Sequence, residues 1–244
     1  MKRSKRKCLT KSLLRKAVWF ILIVLGIFIA FEIITWPSVK SLRKNNPKTT
    51  AFIERYKKQQ KKAGKKAYIY WKWVPYSRIS PNLKIAVLVS EDINFFSHHG
   101  FDTYEIKNAI TESVEKDKPL RGASTITQQV AKNLWLSPSR NPLRKLKEAI
   151  LTIELEYFLS KKRILEIYLN VAEFGHGIYG AEAASRYYFK KSASELTDTE
   201  SALLAASLPM PRYWHPGSKS RYYQKRVEVI IARMNKAQFL KRLI

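Results

Sequence analysis

The chain has 244 residues, 45% of them hydrophobic and 12% aromatic, enough to bury a core and too apolar for wholesale disorder. Its single cysteine, Cys8, excludes an intramolecular disulfide framework and a cysteine-based zinc finger. Lys and Arg outnumber Asp and Glu by 46 to 19, a net charge of +27, which calls for a polyanionic partner: nucleic acid, an anionic membrane surface or a phosphorylated substrate.

Where the charge lies narrows that choice. Residues 1–16 form a basic tail with eight Lys/Arg and no acid, and Ala17 to Phe31 is an unbroken apolar or glycine run. Residues 17–36 are long enough to span a bilayer if Glu32 sits at the headgroup level, and Trp19 and Trp36 bracket the run as interfacial aromatics do. A cleaved signal peptide is the competing reading, but its apolar core would be shorter, and Glu32, Trp36 and Pro37 make no small-residue cleavage site. The basic tail then predicts a cytoplasmic N-terminus with the rest of the chain outside, leaving Cys8 on the reducing side.

Residues 37–66 read as a basic juxtamembrane linker, with eleven Lys/Arg against one acid between 40 and 66. Well over half of the excess charge therefore flanks the predicted span, where attraction to anionic lipid headgroups is its simplest use. No nucleic-acid partner is expected, because a domain outside the cell membrane rarely meets one.

Residues 67–244 read as one mostly helical domain. Ala67 to Val74 is the main extended candidate. A helix is predicted from Asn82 to Glu91, and Asp102-Thr103-Tyr104-Glu105 is a capping box for the next. Ser124 is expected to cap a third helix through Leu134. Asn141-Pro142 opens a fourth to Leu159, and Ser160 a fifth to Leu169. Thr197-Asp198-Thr199-Glu200 is a second capping box, and Ser218 or Ser220 opens a C-terminal helix.

Three segments carry candidate chemistry. Glu91 and Asp92 close an apolar helix and precede Phe95, Phe96, His98 and His99. A carboxylate among such side chains is raised in pKa by desolvation and suits acid–base work, whereas a solvated helix end is the bland alternative. Gly122 to Gln129 is a run of hydroxyls and amides at a predicted helix start, with Lys132 further along. It fits either an anion site or an ordinary N-cap.

Arg144, Lys145 and Glu148 share a helix whose apolar positions Leu143, Leu146, Ile150, Ile153 and Tyr157 fall on one face, expected to face the core. Glu148 lies nearly opposite that stripe. It is either half of a surface i,i+4 ion pair with Arg144 or part of a polar cleft wall. The histidines have no metal-binding spacing, and Gly175, Gly177 and Gly180 around His176 read as a turn rather than a phosphate cradle.

In order and spacing these segments resemble the peptidoglycan glycosyltransferase family (glycosyltransferase family 51) over roughly residues 75–215. The motif E-D-x-x-F-x-x-H-x-G-x-D matches as Glu91, Asp92, Phe95, His98, Gly100 and Asp102. The second, G-G-S-T-I-T-Q-Q-L-x-K-N, matches as Gly122 with Ser124 to Gln129, Lys132 and Asn133, departing at Ala123 and Val130. R-K-x-x-E is Arg144, Lys145 and Glu148, and K-x-x-I-L-E-x-Y-L-N is Lys161, Ile164, Leu165, Glu166, Tyr168, Leu169 and Asn170. Gly180-Ala181 with Ala183, Ala184, Tyr188 and Phe189 is similar to the fifth.

The resemblance implies a mostly α, lysozyme-like glycosyltransferase domain on a single N-terminal transmembrane helix, facing the periplasm from the bacterial inner membrane. It implies polymerisation of lipid II into β-1,4-linked glycan strands, with release of undecaprenyl pyrophosphate. Glu91 matches the base and Glu148 the second family carboxylate. Asp92, His98, Ser124, Thr125, Gln128, Gln129, Lys132, Asn133, Arg140, Arg144 and Lys145 become expected substrate contacts. A divalent cation, magnesium or manganese, is expected with the substrate pyrophosphate, Glu148 holding either the neighbouring cations or such an ion, and no organic cofactor is expected. Lipid II, the nascent glycan, anionic lipids and cell-division or elongation proteins are the expected partners. The length left after the fifth motif, with no K-T-G, predicts no transpeptidase activity. A membrane-bound murein-cleaving enzyme and a non-catalytic cell-wall scaffold are the alternatives.

Overall fold

A computed structural model describes residues 2–115, 122–139 and 141–244, with side chains described from residue 15 onward. The chain divides into two compact units, residues 1–38 and residues 39–244.

The first unit is one helix, α1 (Lys2–Ile34), which takes in both the basic tail and the apolar run. From Val18 to Ile34 its large apolar side chains are exposed. Among the described residues it is the one helix long and apolar enough to cross a membrane. It ends two residues short of the expected span, where the Thr35 hydroxyl donates to the Phe31 carbonyl at 2.7 Å.

The second unit begins at Val39, so the expected linker is a structured part of the domain and its boundary moves from residue 67 to 39. A 3-10 turn, Val39–Arg43, buries Val39 and Leu42. Helix α2 (Ala51–Lys62) is capped by Thr50 and packs Ile53 and Tyr56 against Tyr179. The segment read as a linker because its lysines dominate its composition. Those lysines point outward while a few well-spaced apolar side chains reach the core.

The remaining helices start where backbone N–H groups find side-chain acceptors. Helix α3 (Pro81–Glu91) is capped by Ser80 with proline in its first turn, and Leu83 to Val89 are all buried. Asp102 accepts from the Glu105 N–H at the start of α4 (Thr103–Glu115). Helix α5 (Ile126–Trp135) is capped by Thr125 and not by the expected Ser124, because Thr125 and Gln128 form the reciprocal box. Asn141 caps α6 (Pro142–Phe158) and Ser160 caps α7 (Lys161–Val171). Arg163 on α7 donates to the carbonyls of Leu42 and Asn45, tying down the 3-10 turn and the chain just after it.

A hairpin follows, β2 (Glu173–Gly175) and β3 (Ile178–Tyr179), turning through Gly177 at φ +75°. Here the predicted turn around His176 is found, and a side chain at 177 would collide with the Tyr68 carbonyl. Strand β1 (Tyr70–Trp71) runs parallel to β3, giving the sheet order β1-β3-β2. The extended candidate at 67–74 thus contributes only two strand residues. Helix α8 (Ala181–Phe189) starts at Gly180, and the capping box at Thr197 opens α9 (Asp198–Ser207). The last long helix is α10 (Arg221–Lys236), with Ser220 at its cap.

Two helical groups form the core: α3 against α9 and α10, and α5 against α6 and α7. In the second group α6 is turned the opposite way from expectation. Glu148, Leu151, Thr152 and Leu155 are buried, while Leu143, Leu146, Ile150, Ile153 and Tyr157 are exposed, Tyr157 at 81%. Leu151 and Leu155 supply enough apolar surface to seat the helix, and they share its inner face with Glu148.

Candidate active site

A cavity of about 920 Å³ lies between the two helical groups, within the range of ligand pockets. Its wall joins the end of α3 (Ser90, Glu91), the chain before α5 (Gly122 to Thr125), α5 itself (Gln129, Lys132) and α10 (Arg226, Arg233). A second cavity of about 440 Å³ shares Gln129 and Lys132 with it.

Glu91, the last residue of α3, points into the first cavity with its side chain 13% exposed. Its surroundings differ from the apolar shell expected. Oε1 accepts from Arg226 Nη2 at 3.0 Å and from the Ser90 hydroxyl at 3.1 Å. Oε2 accepts from Gln129 Nε2 at 3.0 Å. Gln129 is oriented in turn, since its Oε1 accepts from the Tyr168 hydroxyl at 3.0 Å. The neighbouring aromatics serve packing instead, with Phe95 fully buried and Lys161 4.5 Å above its ring.

Several expected substrate contacts also hold the framework together. The Asp92 carboxylate accepts from His98 Nε2 at 2.9 Å and from the Ile126 N–H at 2.9 Å, so it joins α3 to the start of α5. His98 Nδ1 accepts from the Gly100 N–H at 3.1 Å, which commits both ring nitrogens. The Thr125 hydroxyl donates to the Gly100 carbonyl at 2.7 Å, and the Gln128 Oε1 accepts from the Thr125 N–H at 2.9 Å. Thr125 and Gln128 therefore form the cap, with Thr125 on the cavity wall as well. Ser124 alone of the three hydroxyls in this run is exposed on the cavity wall.

Lys132 stands on α5 one turn beyond Gln129 and lines both cavities. Burial holds its ammonium below the ordinary lysine pKa, against the pull of Glu148 and Glu91 and with the push of Arg144 and Lys145. Among the described residues no hydrogen-bond or ion-pair partner meets it. Asn133 is buried beside the second cavity.

Glu148 is only 2% exposed, so the surface ion pair gives way to a buried one. One oxygen accepts from Arg144 Nη1 at 2.6 Å and the other from Lys145. The structure therefore brings Glu91 and Lys132 into one cavity. Arg144, Lys145 and Glu148 line neither cavity and reach Lys132 through their charges alone. Arg140, also expected at the site, lies outside the described residues.

Asp92, His98 and Asp102 are the one group among the described residues whose donor atoms cluster closely enough for a metal ion. Their donors are already engaged: Asp102 accepts from Asn94 and from the Glu105 N–H. Despite its burial, those hydrogen bonds and the nearby His98 hold the Asp102 carboxyl below the usual carboxylate range.

Sequence reasoning placed the C-terminal helix α10 but missed its part in the site. Arg226 and Arg233, seven residues apart on one helical face, both line the cavity, and that spacing was the available signal. It missed Glu173 as well, whose burial beside the second cavity pushes its carboxyl upward against the pull of Arg212.

A cleft carboxylate held by directed hydrogen bonds thus shares a cavity with a lysine ammonium, a pairing of a candidate proton acceptor with a candidate anion contact. Residues 58–235 match the transglycosylase family. The biosynthetic peptidoglycan transglycosylase of Thiobacillus denitrificans is 50% identical over 186 residues, covering 76% of this chain and 80% of that protein. Its counterpart from Neisseria gonorrhoeae is 42% identical over 220 residues, covering 90% and 94%. That from Janthinobacterium is 41% identical over 226 residues, covering 92% and 98%. The chain belongs to the transglycosylase family, with glycosyltransferase activity on peptidoglycan.

Proposed function

We propose that the chain polymerises lipid II into β-1,4-linked glycan strands and releases undecaprenyl pyrophosphate. The observation that carries this reading is that Glu91 and Lys132, whose ammonium meets no hydrogen-bond or ion-pair partner among the described residues, line one cavity. Glu91 takes the proton from the acceptor 4-hydroxyl as that oxygen bonds to the donor anomeric carbon. The bond from that carbon to the pyrophosphate oxygen breaks, and the leaving group departs with the electron pair. Attack from the opposite face inverts the α-linked donor to a β product. Lys132 meets the developing negative charge, while Glu148 holds Arg144 and Lys145. Because a pyrophosphate leaves readily, no strong general acid is required.

The two assigned carboxylates are already engaged. Glu148 is closed by Arg144 and Lys145, and Glu91 by Arg226, Ser90 and Gln129. No step is assigned to a metal, and any ion arriving with the substrate would be held by its phosphate oxygens.

The reading places the chain in the bacterial inner membrane with its catalytic unit in the periplasm. The exposed apolar row on α6 and the outward lysines of α2 are the surfaces suited to acyl chains and to anionic headgroups. Recruitment by division or elongation proteins belongs to the same proposal. A murein-cleaving role fits less well, because a neutral glycosidic bond makes no use of a bare ammonium in the cleft.

The test is polymerisation of labelled lipid II by the full chain in detergent or liposomes, against Glu91→Gln. Glycan strands from the wild type and none from the variant are expected. Release of muropeptides from sacculi without polymerisation refutes the proposal.

A further inference from the structure

Arg226 lies on α10, 135 residues from Glu91 and beyond the motifs that carry the family resemblance. Its Nη2 donates to the Ser90 hydroxyl at 2.8 Å and to Glu91 Oε1 at 3.0 Å, while Ser90 itself donates to the same Oε1 at 3.1 Å. These three groups close a triangle around one carboxylate oxygen. Gln129, fixed by Tyr168, holds the other oxygen from α5. Each helical group of the core therefore supplies one half of the clamp, and Glu91 can swing only if one half lets go. Among the described residues the buried Arg226 Nε meets no hydrogen-bond partner, so the guanidinium holds this position with a polar atom unsatisfied.

We propose that Arg226 is a positioning residue for the transfer reaction, fixing the Glu91 carboxylate in the orientation that receives the acceptor proton. An arginine that only recruited the anionic substrate would not need two hydrogen bonds to Ser90 and Glu91. A misplaced base loses rate rather than affinity, because the acceptor hydroxyl meets it productively only in the transition state. The inference rests on Glu91 being the base.

The experiment compares wild type, Glu91→Gln, Arg226→Gln, Arg226→Lys and Arg226→Ala in the lipid II polymerisation assay, with thermal unfolding of each. Arg226→Gln is expected to lower kcat on the order of 10²-fold with KM within about threefold of wild type. Arg226→Lys recovers part of that loss, and added guanidinium restores Arg226→Ala. If kcat is unchanged while KM rises, Arg226 is a substrate-binding cation and the proposal is overturned. A kcat loss that neither lysine nor guanidinium repairs overturns it as well. Activity in Glu91→Gln removes the base itself, and the positioning role falls with it. A silent Glu91→Gln beside a fully active Arg226→Gln removes only the role of Arg226.

Discussion

The orientation of α6 can be tested by two substitutions five residues apart. Leu151 is fully buried and Leu146 is 59% exposed, on opposite faces of the same helix. Truncating a buried leucine forfeits its transfer free energy and leaves a cavity, so Leu151→Ala is expected to cost about 3 kcal/mol. In a domain of this size that corresponds to a fall in Tm of roughly 6–12 °C. Leu146→Ser removes an apolar group that the fold leaves in solvent, and its effect stays within about 0.5 kcal/mol, roughly 1–2 °C. Thermal unfolding of the detergent-solubilised protein, followed by circular dichroism, separates these values easily. Comparable losses in both variants, or a larger one in Leu146→Ser, would show that the apolar row faces the core and that Glu148 does not.

Two further outcomes follow from the site. Glu148→Gln deprives Arg144 of its buried counter-charge and is expected to destabilise the fold by about 3 kcal/mol, with Lys145 adding little because it is half exposed. An unchanged Tm would contradict the buried pair. Since burial lowers the Lys132 pKa, its positive charge is lost as pH rises, at a lower pH than for free lysine at about 10.4. Polymerisation should therefore fall on an alkaline limb below that value, and Lys132→Arg should move the limb upward. A limb that does not respond to the arginine would assign it to another group.

Much of the local structure was legible because its causes are local. Asn141-Pro142, Ser160 and the Thr197/Glu200 box satisfy helix-start N–H groups with side chains a few residues away, and the helices begin where those pairs predict. The motif residues identified Glu91 and Lys132 as partners in one site, and the structure places them on one cavity wall. Asp92, His98, Thr125 and Gln128, which carry the same motif signal, also fix the ends of α3 and α5 that present those two residues.

What the sequence by itself determined is the apolar N-terminal helix, the helical domain and the chemical identity of the groups at its centre, because these follow from composition and from neighbours along the chain. Only the tertiary structure decided which face of α6 turns inward, that residues 39–66 belong to the domain, and that an arginine on α10 grips Glu91. Apolar periodicity marks a helix face without saying what covers it. On α6, Leu151 and Leu155 suffice for the inner contact, and the buried charge of Glu148 is acceptable because Arg144 and Lys145 close over it. Contacts between residues more than a hundred positions apart leave no trace in local spacing, since only the packing of α3 against α9 and α10 brings Arg226 within 3.0 Å of the Glu91 carboxylate.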